Sequence, residues 1–320
     1  MLWLFKVWKI LYCLVFVLIF LNGCFSGANP KVTSMSKGVL DGLSMKMPAE
    51  RYEAQMLPDL AYGPLPDEKL DLCQPKGAVE ERPAVILIHG GGWVSGDKQE
   101  FDGLCLTLAR HGFVAATVRY RLAVSSIATT HWPTQIVDVQ LAVRWLRTLA
   151  PSLRVDPRRV CAWGDSAGGH LAVYLGTHKS IHEGDTAASQ ALDMSPYVSC
   201  VVDEFGPVDL TKSRDAPLAG DLFALFGGIS YEQNPELYRD FSPALAVTSQ
   251  SAPTLIVQGT QDILVPPTQS NELRQALQQY HVPVWYLSYS GGHGFSEVSD
   301  TQRQKLLAQE VNYLIMLECP

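Results

Sequence analysis

Residues 160–171, Val-Cys-Ala-Trp-Gly-Asp-Ser-Ala-Gly-Gly-His-Leu, restrict the fold more than any other stretch of the chain. A buried-strand pattern runs into Gly164-x-Ser166-x-Gly168 and passes directly into a helix-prone segment. So sharp a strand-to-helix turn lifts the Ser166 hydroxyl clear of the sheet, and flanking glycines keep side chains out of the crowded corner. The helix that follows aims its first N–H groups at negative charge on a bound carbonyl oxygen. Ser166 is therefore the candidate nucleophile, at the carboxyl end of a strand in an α/β sheet.

A second signal lies upstream. Ala84-Val-Ile-Leu-Ile88 is a continuous apolar run suited to a strand buried on both faces, and His89-Gly90-Gly91-Gly92-Trp93 follows at its carboxyl end. Three glycines leave backbone N–H groups free to approach an oxyanion, each donor worth ~3 kcal/mol of transition-state stabilisation. His89 reads as a residue that holds this loop, and Asp165 as one that orders the nucleophile turn.

A base and an acid follow from placement. In a sheet of this kind the chain order is Ser, then Asp or Glu, then His. Five histidines come after Ser166: His170, His178, His182, His281 and His293. His170 and His178 belong to the nucleophile's own helix or its end, and His281 precedes the strand expected at Val284–Leu287. His293, in Ser290-Gly-Gly-His-Gly-Phe295, follows that strand at its carboxyl end, with glycines on both sides. It is the expected base. Asp262 holds the matching position after Thr254–Val257 and is the expected acid, with Glu204 as the second candidate.

The rest of the chain alternates strand and helix signals. Strands are expected at Phe113–Val118, Val160–Trp163 and Cys200–Phe205 besides those named, with one or two antiparallel edge strands in Tyr52–Leu72. Helices are expected near 99–110, 134–149, 166–178, 268–280 and 302–317. Alternation of this sort predicts an α/β fold, a mostly parallel central sheet with helices on both faces. Residues 209–246 break it, and an insertion of that length reads as a small lid. Trp93, Tyr120 and the aromatics of 223–231 either line a pocket or belong to the core.

The pair His-Gly-Gly-Gly-Trp and Gly-Asp-Ser-Ala-Gly-Gly resembles the α/β-hydrolase esterases of the hormone-sensitive-lipase-like group, and most nearly the BD-FAE type of carbohydrate esterase. The likeness runs over about residues 52–318 and includes Lys69-Leu-Asp-Leu72, Tyr120-Arg-Leu122 and Asp156-Pro157. It implies oxyanion donors at Gly91, Gly92 and Ala167, and an activity on small or carbohydrate-linked esters such as acetyl and feruloyl esters. The Trp at 93 also occurs in kynurenine formamidases and prenylcysteine methylesterases, which leaves the branch open.

Residues 1–23 carry Lys6 and Lys9, no acid, and an apolar run from Ile10 to Leu21. Twelve helical residues span ~18 Å, short of a ~30 Å hydrocarbon core, which is the form of a secretory leader. Leu21-Asn22-Gly23-Cys24 resembles a bacterial lipobox, making Cys24 the expected lipidation site and residues 24–51 a tether before a hydrolase domain at 52–320. A plain cleaved leader and an uncleaved anchor are the other readings. The protein is thus expected outside the cytoplasm, held at a membrane surface by acyl chains on Cys24.

With Cys13 gone and Cys24 acylated, five cysteines remain, an odd number, and Cys161 and Cys200 read as small buried hydrophobes. No Cys/His spacing suits zinc, and no cofactor is expected. A net charge of −7 and a pI near 5.6 give nucleic acid no electrostatic footprint. The expected partner is a small-molecule ester, and the expected activity that of a serine carboxylesterase. A kynurenine formamidase-like amidase and a non-catalytic surface binding protein are the alternatives.

Overall fold

The computed structural model describes residues 43–178, 194–213 and 217–318. The leader, Cys24, the stretch to residue 42, His182 and Cys319 lie outside the described residues. The chain divides into Met1–Gly42 and Leu43–Pro320, and the fold below is that of the second unit. No helix among the described residues is long and apolar enough to cross a membrane.

Eight strands form one sheet: β1 (Ala54–Ala61), β2 (Lys69–Pro75), β3 (Arg82–Ile88), β4 (Val114–Val118), β5 (Val155–Asp165), β6 (Cys200–Glu204), β7 (Thr254–Gly259) and β8 (Val284–Tyr289). Their order is β1-β2-β4-β3-β5-β6-β7-β8. β1 and β2 run antiparallel at one edge, and every pairing from β4 onward is parallel. Helices α1 (Asp102–Arg110), α2 (Thr134–Thr148), α3 (Ala167–Thr177), α4 (Ala219–Leu225), α5 (Pro235–Asp240), α6 (Pro267–Gln279) and α7 (Asp300–Glu318) supply the crossovers and the insertion. The central strands β3 to β7 each carry a buried, mainly apolar run because helices cover both faces. This is the mostly parallel α/β fold that the alternation predicts.

The insertion contains α4 and α5 and a turn of 3-10 helix at Pro243–Ala246, between β6 and β7. It is bonded to the body of the domain. The Leu225 carbonyl accepts from the Trp132 amide at 2.9 Å, and the Phe241 carbonyl accepts from His170 Nε2 at 2.9 Å.

Two sequence expectations need correction. Residues 43–51, read as the end of the tether, are bonded to the domain: Asn312 Nδ2 donates to the Ser44 carbonyl at 3.0 Å, and the Arg51 amide to the Arg110 carbonyl at 2.9 Å. Cys161 and Cys200 are buried as expected but joined, because the parallel register sets them opposite one another at a Cα separation of 4.6 Å. Cys73 on β2 is bonded likewise to Cys105 on α1. Neither pairing is visible in cysteine spacing, since both are set by tertiary neighbours 32 and 39 residues apart.

The motif residues outside the turn are charge clamps. Asp71 takes Lys98 at 2.5 Å, Arg121 holds the fully buried Asp138 at 2.5 Å, and Asp156 grips Arg158 and Arg159 at 2.9 and 3.0 Å. A buried carboxylate needs such a partner, since an unpaired one is costly.

Candidate active site

β5 delivers Ser166 at the carboxyl end of the sheet. Its backbone is bent to φ +50° and ψ −118°, and its amide donates to the Glu204 carbonyl at the end of β6 at 2.8 Å. The turn requires glycine at two places for want of room. A Cβ at Gly164 would lie 2.2 Å from the Gly168 carbonyl oxygen, and one at Gly168 only 1.9 Å from that of Ile88. Those contacts let α3 start hard against β3 and β5, so that its first N–H groups, which have no partner within the helix, open toward the site. Ala167 is the first residue of α3.

His293 reaches Ser166 from the turn after β8. Its Nδ1–H donates to Asp262 Oδ2 at 2.7 Å, and its Nε2 accepts from Ser166 Oγ at 2.9 Å. Asp262 is 3% exposed and is fixed from four sides. Its Oδ1 accepts from the Leu264 and Val265 amides at 2.9 and 2.8 Å, while its Oδ2 also accepts from Gln258 Nε2 at 3.2 Å. Gln258 is anchored in turn by Ser270 Oγ at 2.7 Å. It is a site residue that sequence reasoning missed, and its signal was a lone amide at the end of an apolar strand.

The structure therefore brings Ser166, His293 and Asp262 together. It sends Glu204 elsewhere, to Arg303 on α7 at 2.9 Å. His170 is buried against Trp93 and Phe241, and that burial pushes its imidazole down to about 3. His178 stacks on Tyr174, and His281 lies between α6 and the amino end of β8.

The glycine loop leaves β3 with positive φ at Gly91 (+96°) and Gly92 (+59°). Its neighbours are acidic. Asp165 lies against Gly90, its Oδ2 2.7 Å from where a Cβ would stand there, and burial and then Glu204 push its carboxyl up to about 7. Above Gly92 stands Asp221 of α4, whose Oδ2 would be 2.4 Å from a Cβ at that position. The insertion thus reaches the loop expected to hold the oxyanion. His89 lies under it, its ring stacked on Tyr120 at 4.3 Å and its Nδ1–H donating to the Gly90 carbonyl at 2.9 Å. Trp93 and Tyr120 are 0% and 1% exposed, so both belong to the core rather than to an open pocket wall.

Among the described residues, Cys161, Cys200 and Glu318 form one cluster with metal-ligand geometry, and its two sulfurs are bonded to each other.

An eight-stranded, mostly parallel sheet with a strained serine between β5 and α3 and a histidine after the last strand defines the α/β-hydrolase class. Within that class the chain belongs to the BD-FAE family, whose model matches residues 70–277. Esterase LipC of Mycobacterium tuberculosis is 29% identical over 242 residues, covering 73% of this chain and 58% of that protein. Esterase LipQ of the same organism is 27% identical over 286 residues, covering 86% and 65%. The chain thus spans about six-tenths of the length of these curated relatives. Among solved structures, a truncated carbohydrate esterase from gut microbiota superposes with a TM-score of 0.69 at 26% identity, covering 84% of this chain and 100% of that one. An acetyl ester-xyloside bifunctional hydrolase from Caldicellulosiruptor lactoaceticus gives 0.66 at 26%, covering 77% and 86%.

Proposed function

We propose that this chain is a serine carboxylic-ester hydrolase acting on small or carbohydrate-linked esters of the acetyl or feruloyl kind. The observation that carries the reading is the unbroken relay from Asp262 through His293 to Ser166, with links of 2.7 and 2.9 Å. His293 Nε2 takes the Ser166 hydroxyl proton as Oγ bonds to the ester carbonyl carbon. The carbonyl oxygen becomes an oxyanion that faces the amides of Gly91, Gly92 and Ala167. His293 then gives its proton to the leaving alkoxide, and the alcohol departs from an acyl-Ser166. A water loses its proton to His293 and attacks the acyl carbon; the bond to Ser166 Oγ then breaks, His293 returns the proton to Oγ, and the carboxylic acid leaves. Asp262 accepts from Nδ1–H throughout and so keeps Nε2 directed at Ser166. The esterase relatives and the carbohydrate esterase neighbours support this class of substrate.

The reading extends to location: residues 1–23 act as an export leader and Cys24 carries acyl chains. Two disulfides support it, because such bonds persist in oxidising compartments. Replacing Cys24 with alanine should move the protein from the membrane to the soluble fraction of the host cell envelope, and continued membrane sedimentation would overturn the lipid anchor.

The test of activity compares wild type with Ser166→Ala on p-nitrophenyl acetate, methyl ferulate, acetylated xylan and N-formylkynurenine. Turnover of the esters should fall by ~10⁴-fold or more in the variant. Equal rates in both proteins would sink the mechanism, and turnover of N-formylkynurenine alone would move the chain to the amidase branch.

A further inference from the structure

One guanidinium outside the relay touches residues that adjoin two of its members. Arg303 lies near the start of α7 with its side chain 28% exposed. Its Nη2 donates to Glu204 Oε1 at 2.9 Å and its Nη1 to Glu310 Oε2 at 2.8 Å, and the two carboxylates are 2% and 0% exposed. The flat face of the same group covers the ring of Phe295, with Cζ 3.9 Å from the centroid.

Two of these contacts, those to Glu204 and Phe295, lead to a side chain of the relay. Glu204 ends β6, and its carbonyl accepts the Ser166 amide at 2.8 Å, so the grip on Glu204 fixes the backbone of the nucleophile. Phe295 lies two residues beyond His293, at φ +60°. Its ring meets Phe205 edge to face at 5.1 Å, and Phe205 meets the His293 ring at 4.7 Å. Tyr289 closes the far side of the same loop, its ring tilted against that of Phe295 at 5.0 Å and its hydroxyl donating to the Gly292 carbonyl at 3.0 Å. The imidazole is therefore wedged in place by an edge-to-face aromatic cluster whose outer ring is covered by a cation.

From this arrangement we infer that Arg303 is a positioning residue for the ester-hydrolysis reaction, setting the distance between Ser166 Oγ and His293 Nε2 by clamping β6 and the base loop together. The inference rests on the Ser166–His293–Asp262 reading. Arginine suits the task because a planar fork can satisfy two carboxylates at its edge while stacking on a ring with its face; an ammonium has the charge but no face. Two buried carboxylates share one cation, and burial, then Glu204, pushes the Glu310 carboxyl well up.

Four variants test it: Ser166→Ala, Arg303→Met, Arg303→Lys and Phe295→Leu, each checked for folding by circular dichroism and melting temperature. The readouts are kcat and KM on p-nitrophenyl acetate and the rate of Ser166 phosphylation by diethyl p-nitrophenyl phosphate, which reports nucleophile activation directly. A misplacement on the ångström scale is worth up to ~100-fold, so folded Arg303→Met and Phe295→Leu should lose ~10- to 100-fold in kcat and in phosphylation rate, with KM within about twofold. Arg303→Lys should fall between wild type and Arg303→Met. If Arg303→Met does not fold, Phe295→Leu decides, since it leaves the ion triad whole. An inert Ser166→Ala beside wild-type kcat in Phe295→Leu overturns the positioning route alone. An active Ser166→Ala overturns the relay reading and this inference with it.

Discussion

The disulfide between Cys161 and Cys200 gives a sharp thermodynamic expectation. It joins β5 to β6 at the end of the sheet away from Ser166, and it closes a loop with a sequence separation of 39. Chain-entropy arguments give a loop of that length about −13 cal/mol/K in the unfolded state, or ~4 kcal/mol of stability at 25 °C. A domain of ~280 residues unfolds with an entropy near 600 cal/mol/K around its midpoint, so Cys161→Ala with Cys200→Ala should lower Tm by ~6–7 °C. Cys73–Cys105 closes a separation of 32 and should be worth ~3.7 kcal/mol, with the two losses nearly additive. The assay is scanning calorimetry of wild type and both double variants, beside alkylation and mass measurement without reductant. Turnover at 25 °C should stay within about twofold in the Cys161/Cys200 variant, since Cys200 stands at the amino end of β6 and neither sulfur contacts the relay. All four cysteines are 0% exposed, so dithiothreitol should act only as fast as the native protein opens. Rapid alkylation of Cys161 and Cys200 in protein recovered from an oxidising compartment, or a Tm within ~1 °C of wild type, would refute the reasoning.

Other expectations follow from the same geometry. Asp262→Asn keeps the shape but lets His293 take the wrong tautomer, and kcat should fall by ~10⁴-fold with little change in KM; a loss below tenfold in steady-state assays would count against the relay. Gly168→Ala puts a methyl 1.9 Å from the Ile88 carbonyl, so α3 must back away from β3. Denaturant unfolding should show at least ~2 kcal/mol of lost stability, and wild-type stability would mean that the corner is looser than drawn. Asp203 is buried, and burial pushes its carboxyl from 3.8 up to about 7. Between those values the folded state binds a proton that the unfolded state does not, so stability falls as pH rises from about 4 to about 7, by up to ~4 kcal/mol from this group. In Asp203→Asn that fall should be shallower, and parallel Tm-against-pH curves for the two proteins would contradict it.

How much was legible in the sequence depended on whether a feature is local. The Ser166 turn, the glycine loop and the helices after each strand are encoded within a dozen residues, where backbone sterics leave few options. Asp262 and His293 were legible because chain order and strand ends carry long-range information in a parallel sheet. Glu204 shared the strand-end signal but not the place beside His293, since its side chain is engaged by Arg303, 99 residues away. The same reason hid the Cys161–Cys200 bond, which depends on register between strands, and the approach of Asp221 to Gly92, which depends on how the insertion folds back. Trp93 and Tyr120 were ambiguous because a buried aromatic and a pocket wall have the same sequence signature until neighbours such as Phe241 and His89 are placed.

The backbone angles of Ser166 carry an evolutionary consequence. A φ of +50° with ψ −118° is a setting that glycine adopts freely and that costs other residues on the order of 1–3 kcal/mol. Ser166→Gly should therefore yield a protein that turns over nothing and melts higher than its parent. At this one position, mutation toward an inert scaffold runs downhill in free energy, and stability alone would drive a lineage that way. On the proposed function, serine at this position serves reactivity at a cost to the fold.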